Sequence, residues 1–573
     1  MASSGRRQVS FSDKLRYSFD KSMAAGPIAL IGWLALLSFF FIGIAAAIIT
    51  VAGIKPEGGD TLTFGEAMWQ SLMRTMDAGG VGGDSGWSFR FIMILVTIAG
   101  IFIFSSLIGV LTSGIESKMD ELRKGRSFVI ESDHTLILGW SSNVFTIISE
   151  LVLANENQKA PRIVILADRD KVEMEEEIRS KVGSTGRTRV ICRTGSPIDL
   201  YDLEIVNPHE SKSIIILSPE DDDPDSQVIK SILAITNNPN RRAEPYHIVA
   251  EIDDPKNIEA AQLVGRDEAQ LIQSNDLIAR ITVQTCRQSG MSVIYTELLD
   301  FGGDEIYFKA EPGLVGKTFG DALLAYDKSA VMGVQFGDGR VRLNPPMDIV
   351  IRSGDKIIAI SEDDDTIQLS GSVDFGIDDR LIRTAAPSVA TPERTIILGW
   401  NGRGPCIISE LDSYVAPGSI VTVVADMPGA EADIAGLSND MRNQRVTFQP
   451  GDTADRRTLE SLQIPTYQHV IVLGYTQTLS AQQADARTLI TLLHLRNIEQ
   501  SSNTPLSIVS EMLDVRNREL AEVTQADDFI VSDKLISLLL AQVSENKDLN
   551  AVFSDLFDSA GSEIYLKAAR DYV

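Results

Sequence analysis

The sequence predicts two architectures in one chain. The first is a membrane α-helical segment of two transmembrane helices plus a short pore helix per subunit. The second is a pair of α/β Rossmann-like units in tandem, each followed by a small α+β C-terminal lobe. Three observations carry this: two long uncharged apolar runs before residue 116, strand–turn–helix patterns after it, and a self-similarity of the later part at a period near 260 residues.

Charge divides the chain in the same place. Residues 1–126 carry 12 Lys/Arg against 10 Asp/Glu, whereas the remainder carries 40 against 69. An acidity confined to the C-terminal part argues against nucleic acid as a partner and favours a soluble surface. Cys192, Cys286 and Cys406 are isolated, with no zinc spacing and no CxxC, so that part reads as cytosolic.

After a cytosolic segment 1–26, residues 27–53 (PIALIGWLALLSFFFIGIAAAIITVAG) are uncharged and long enough to cross a hydrocarbon core of roughly 30 Å. The run has no small-residue cleavage site, which disfavours a removable leader. A second span is predicted over 88–115, interrupted only by Arg90. Arg6, Arg7, Lys14, Arg16 and Lys21 precede the first span, and Lys118, Arg123, Lys124 and Arg126 follow the second. This bias puts both termini in the cytoplasm of a cell whose plasma (inner) membrane holds the protein.

Between the spans, residues 61–76 (TLTFGEAMWQSLMRTM) predict a short amphipathic helix. Thr61 or Thr63 can cap it, and Phe64, Met68, Leu72 and Met76 recur every four residues. A glycine-rich turn, DAGGVGGD, follows at once. A span, a half-helix, a glycine turn and a second span make the plan of a pore loop, completed by four subunits around an axis. Against the potassium filter TVGYG, Thr75, Met76, Asp77, Ala78 and Gly79 keep the threonine and the last glycine. Asp77 replaces the first glycine and Ala78 the tyrosine, giving a candidate filter at 75–80 that ends on Gly80. Four copies of Asp77 would form a carboxylate ring favouring cations, including a divalent ion. The alternative is that Asp77 turns off the axis and hydrogen-bonds the loop backbone. Asp84 reads as a vestibule charge or a loop brace, and Gly100 and Gly109 as hinges or packing positions in the second span.

Past a connector at 116–132, residues 134–151 (HTLILGWSSNVFTIISEL) match 394–411 (RTIILGWNGRGPCIISEL). The agreement continues through VILAD and VVAD, SIIILS and HVIVLG, and FGGDEIYFK and SAGSEIYLK. The units are expected at 133–299 and 392–557, with C-terminal lobes at 300–385 and, just begun, at 558–573. Each unit has a strand, a glycine turn, a helix and a second strand ending in Asp, the order that holds a dinucleotide. Gly139 is the one fingerprint glycine kept in the first repeat. Gly399 and Gly404 are the first and third in the second, and Asp168 and Asp426 stand where a ribose would be held. The missing middle glycines weaken a nucleotide reading, more so in repeat one. Strand-end acids without a ligand would look the same.

Taken together, the rewritten filter at Asp77-Ala78-Gly79, the doubled Gly-Trp turn and Gly303-Asp304-Glu305-Ile306-Tyr307 resemble the Castor/Pollux family of ion channels, over almost the whole chain. The repeats resemble RCK domains (TrkA-N-like), which gate potassium channels and transporters. This resemblance implies a homotetramer in the lipid bilayer, with eight repeats forming a cytosolic gating ring whose expansion pulls on the inner helices. It also implies a compact bacterial-type member without the extra N-terminal spans of plant relatives. In calcium-gated relatives the ion sits on acids after the fourth strand and at the end of the fifth. Here those positions are Glu220, Asp221, Asp222, Asp223 and Asp225, with Glu251 and Asp253. Such a cluster suits a hard cation such as Ca2+; a solvated acidic loop is the alternative reading. No catalytic set accompanies the Rossmann pattern, since the five histidines are scattered, so an enzyme is not expected. The reading is a ligand-gated cation channel for K+ or Ca2+, regulated by Ca2+. A nucleotide-regulated potassium channel and a regulatory subunit of a potassium transporter are the rivals.

Overall fold

The computed structural model describes residues 27–573 apart from 124, 220–222, 372–375, 379, 384–389, 523–527 and 573. The chain divides into two compact units, 1–124 and 125–573.

In the first unit, the helix Pro27–Val51 rises about 37 Å at about 1.5 Å per residue, enough to cross a bilayer core. The short helix is Phe64–Met76, with Thr63 as its cap: the hydroxyl accepts the Glu66 amide at 3.4 Å. The third helix, Trp87–Arg123, runs on past the expected end of the span at 115. The residues expected to open a connector are therefore helical through 123, as the strong helix formers in ESKMDELR favour. Ala46, Ile49, Ala67, Phe89 and Met93 form a small core where the three helices meet. Small residues such as Ala46 and Ala67 let the helices approach closely. Leu36, Leu37, Phe39, Phe40, Phe91 and Phe102 face outward, as they would toward lipid.

The second unit begins inside the expected connector: Val129 is buried and its amide donates to the Ile205 carbonyl at 2.7 Å. Strands β1 (His134–Leu138), β2 (Arg162–Ala167), β3 (Arg189–Thr194), β4 (Ser211–Ile216), β5 (Ile248–Ile252) and β6 (Ala269–Gln273) form a parallel sheet in the order β3-β2-β1-β4-β5-β6. Strands β7 (Glu305–Lys309), β8 (Ala330–Gln335), β9 (Val341–Leu343) and β10 (Lys356–Ser361) make an antiparallel lobe ordered β7-β10-β8-β9. The second parallel sheet repeats the first: β11 (Arg394–Leu398), β12 (Ser419–Ala425), β13 (Gln444–Pro450), β14 (His469–Val472), β15 (Ser507–Met512) and β16 (Asp528–Val531), ordered β13-β12-β11-β14-β15-β16. Central strands such as β1 and β5 are buried throughout, because helices cover both faces of each sheet.

The two repeats exchange helices. Ser532–Glu545, after β16, packs on Asn143–Ala154 of repeat one. Ser274–Arg287, after β6, packs on Gly404–Tyr414 of repeat two. Hydrophobic side chains from both sheets thereby join in one core. Polar contacts flank it: Arg287 grips the Glu393 carboxylate at 2.7 and 3.1 Å, and Gln284 reaches Tyr414 and the Phe557 carbonyl at 3.3 and 3.2 Å. At 558–573, where a second lobe was expected to start, no strand forms among the described residues. Gln288 holds the segment matching β7 through Ile564 and Leu566.

Candidate functional site

The candidate filter, residues 75–80, hangs from the C-terminus of the helix Phe64–Met76. Thr75 lies in its last turn and returns its hydroxyl to the Ser71 carbonyl at 2.9 Å. Met76 is 74 % exposed, and Asp77 leaves the helix in extended conformation. From Ala78 to Gly83 the backbone winds as a 3-10 turn rather than running extended. Asp77 initiates it, one carboxylate oxygen accepting the Gly79 amide at 2.8 Å while the residue stays exposed. In the single chain the carboxylate thus bonds its own loop, and Gly80 lies against the Arg74 side chain.

Two arginines brace this loop. Asp84, 4 % exposed, is ion-paired with Arg74, and Arg90 donates to the Asp84 carbonyl at 2.6 Å. Asp84 is thus the brace, and Arg74 and Arg90, the latter read from the sequence only as an interruption of the second span, complete it. Gly100 is a close-approach position: a Cβ there would lie 2.6 Å from the Thr75 Cα and 2.8 Å from its carbonyl oxygen. Gly109 has open space around it.

In the second unit, Gly139 and Gly399 adopt φ of +97° and +96°, a conformation glycine takes without strain. A Cβ at either would press on the carbonyl of Leu217 or Leu473. The turn therefore requires both glycines whether or not a phosphate binds. Gly404 serves a different end from the phosphate role expected of it. A Cβ there would stand 2.4 Å from the Trp400 ring, which is 1 % exposed and folds into repeat two's own turn. Tyr475 closes the same cleft: its hydroxyl meets the Asp426 amide at 3.3 Å, and Arg487 lies over its ring. Repeat two has filled its nucleotide position with its own side chains.

Repeat one carries Val144 where repeat two has Gly404, and Trp140 turns outward to meet Phe145 edge-on at 5.5 Å. A cleft of about 430 Å³ is left at the carboxyl ends of β1, β2 and β4. Gly139, Trp140, Asp168, Arg169, Ile198 and Gln227 are among the residues lining it. The fingerprint ranks repeat two above repeat one as a nucleotide holder, and the geometry reverses that order.

The acidic positions separate. Glu220, Asp221 and Asp222 lie outside the described residues, and Asp223 is exposed. Asp225 is 2 % exposed and accepts the amides of Asp253 and Asp254 at 2.9 Å each and the Asn257 side chain at 2.8 Å. Repeat two builds the same device from Asp485, which accepts Leu513, Asp514 and Asn517 at 3.0, 3.0 and 2.8 Å. Asp225 thus braces the exit of β5 rather than offering a free ligand, and Asp253 takes the Ser274 hydroxyl. Among the described residues no three His, Cys, Asp or Glu converge as a metal would need. Glu251, 5 % exposed, is the remaining acid. Burial, reinforced by Asp253 and Asp533, pushes its carboxyl up to about 8, against the pull of Ser274 and Arg403.

A membrane unit with a re-entrant helix, fused to two interlocked Rossmann repeats and an intervening antiparallel lobe, defines the class of RCK-gated membrane proteins. Residues 131–242 match the family described as calcium-activated potassium channel slowpoke-like RCK domain, and residues 275–376 that of Castor and Pollux, part of voltage-gated ion channel. The chain is 30% identical to a probable ion channel POLLUX of Arabidopsis thaliana, over 99% of this chain and 72% of that protein. It is also 30% identical to the ion channel CASTOR of Lotus japonicus, over 99% and 69%. The chain belongs to the Castor/Pollux family of ion channels. It spans about two thirds of the length of its curated relatives, 66% and 62% for the CASTOR and POLLUX proteins of Oryza sativa subsp. japonica. The human SLO3 gating ring shares the fold of the second unit, with a TM-score of 0.53 and 14% identity over 74% of this chain and 85% of that one.

Proposed function

We propose that four copies of this chain form a cation channel in the plasma (inner) membrane, with both termini and the RCK repeats in the cytoplasm. One observation carries the reading: a capped half-helix between two spans delivers the filter sequence 75–80 to a loop braced by Arg74, Asp84 and Arg90, in the same chain as a double RCK unit. Four Asp77 carboxylates around the axis favour cations over anions and admit K+, Ca2+ or both. A regulatory subunit of a transporter would have no use for the re-entrant helix. The relatives are named as ion channels, and no catalytic set accompanies the Rossmann cleft, so the protein is read as no enzyme.

The regulating ligand binds repeat one. A nucleotide is the occupant that the open cleft supports, with Trp140 as a stacking face, Gly139 at the turn and Asp168 at the strand end. Repeat two, closed by Trp400 and Tyr475, holds the ring together. Calcium is the second reading, now reduced to the run 220–223 with Glu251, since Asp225 and Asp253 serve the loop. Single-channel recording with ADP, NAD or Ca2+ on the cytosolic side separates the two. The expected result is a change in open probability with nucleotide that Trp140→Ala removes. A response to Ca2+ alone, lost on neutralising Asp221 and Asp223, would transfer the role to the acidic run.

A further inference from the structure

Glycine turns and fifth strands meet in both repeats, yet the two meeting points are chemically different. In repeat two the buried Glu511 carboxylate is fully partnered. It accepts the Asn401 side chain at 2.7 Å, the Gly474 amide at 3.2 Å and the Ser532 hydroxyl at 3.1 Å, and it is ion-paired with the Arg403 guanidinium. A buried acid kept charged needs such a counter-ion, because an unpaired charge in a low-dielectric interior costs several kcal/mol.

Repeat one keeps the acid as Glu251 and the serine as Ser274. The two other side-chain partners are exchanged, Asn401 becoming Ser141 and Arg403 becoming Asn143, while Gly474, which offers only its backbone amide, becomes Ser218 and gains a hydroxyl. Repeat one itself supplies no cation here: Arg403 acts on Glu251 from repeat two, more weakly than Asp253, Asp533 and Ser274 do, and the matching positions carry shorter oxygen-bearing side chains. The Ser141 hydroxyl, the Asn143 carbonyl oxygen and the Ser218 hydroxyl are all buried without a hydrogen-bond partner, in residues 6 %, 8 % and 9 % exposed. The duplicated geometry aims them at the acid. In repeat two, Asn401 bonds Glu511 directly, and a Cβ on Gly474 would lie 3.8 Å from a Glu511 oxygen. Three orphaned oxygens on the residues that replace Asn401, Arg403 and Gly474 are a donor set for a positive ion. Glu251 with neutral oxygens, its neighbour Asp253 committed to Ser274 and Arg403 opposing Asp533, suits a single charge more than a divalent ion.

We infer that repeat one binds a monovalent metal cation, K+ or Na+, between the Glu251 carboxylate, the Ser141 and Ser218 hydroxyls and the Asn143 carbonyl oxygen, in the position that Arg403 fills in repeat two. This site adjoins the nucleotide cleft, since Trp140, Leu217 and Pro219 of its lining flank Ser141 and Ser218, but it is distinct from the brace made by Asp225, and it does not depend on the protein being a channel. Its role is to hold the first glycine turn against β5, as the guanidinium does in the second repeat.

The test is thermal unfolding of the purified full-length protein in NaCl, KCl or N-methylglucamine chloride of equal ionic strength. It is run at about pH 7, 8 and 9. Wild type unfolds at a higher temperature in one or both metal salts than in the organic salt. Glu251→Gln loses that part of the difference, and Asn143→Arg loses it too while matching or exceeding wild type in the organic salt, because its guanidinium takes the ion's place. Ions in the filter act on all variants alike, so the quantity read is the difference from wild type. Should Asn143→Arg fail to fold, Ser218→Ala replaces it, and the salt concentration for half the stabilisation rises. A wild-type temperature indifferent to the metal salts would leave only water or a proton at Glu251 and overturn the proposal. Variants that keep the full wild-type difference would overturn it as well.

Discussion

Single residues set how firmly each part of this protein is held. Arg403 and Glu511, 108 positions apart in sequence, tie the second glycine turn to β15, and Asp225 and Asp485 each secure a strand exit by the same three bonds. Glu150 shows how such burial couples to pH. It is 5 % exposed, accepts the Phe301 amide at 3.0 Å, and its carboxyl is pushed up to about 7, chiefly by burial. A carboxyl whose folded value lies above its unfolded value near 4.5 stabilises the fold fully below the unfolded value and loses that contribution as pH rises through about 7. The unfolding temperature of wild type should therefore fall as pH is raised across this window, and Glu150→Gln should flatten the fall. Glu305, also raised to about 7 by burial, leaves a residual slope in the variant. An identical slope in both proteins would remove Glu150 from the account.

Among the elements, the second membrane helix is the one whose role changed most between sequence and structure. Gly100 read as a packing position more readily than as a hinge, and its contact with Thr75 is one of packing, because only a residue without a Cβ lets the helix backbone touch the first residue of the candidate filter. Gly100→Ala should therefore shift cation selectivity or conductance in a protein that still assembles. Gly109→Ala, whose new methyl meets open space, should leave permeation unchanged. Bi-ionic reversal potentials of the two variants, with assembly checked by size-exclusion chromatography, measure this. Equal permeation in both would show that the contact does not position the filter.

What the sequence revealed, and what it hid, also follows element by element. The two spans, the half-helix and the duplicated strand order were legible because apolar length and collinear repetition survive divergence. The glycine fingerprint misled, because Gly404 was counted as a phosphate glycine when its purpose is to admit Trp400. Val144 in repeat one was the available signal that the first tryptophan must turn outward and leave a cleft. Asp225 looked like a ligand because its matching Asp485 sits inside a helix rather than in an acidic run. The Arg403–Glu511 pair had no local pattern at all, since its partners meet only through the fold.

At the scale of the whole molecule, duplication followed by divergence explains the arrangement. The repeats exchange helices into a shared core. One repeat closed its cleft with Trp400 and Tyr475 and supplied its own cation through Arg403, while the other kept an open cleft and an unanswered acid. A receptive repeat locked to a rigid one is a reasonable construction for transmitting ligand binding to a membrane gate. The most direct test of the central claim is the reversal potential of the purified protein in planar bilayers, with KCl on one side and CaCl2 on the other, for wild type and Asp77→Asn. The account predicts a cation-selective current whose relative K+ and Ca2+ permeability changes when the Asp77 charge is removed. No current, or a reversal potential set by chloride, would contradict it.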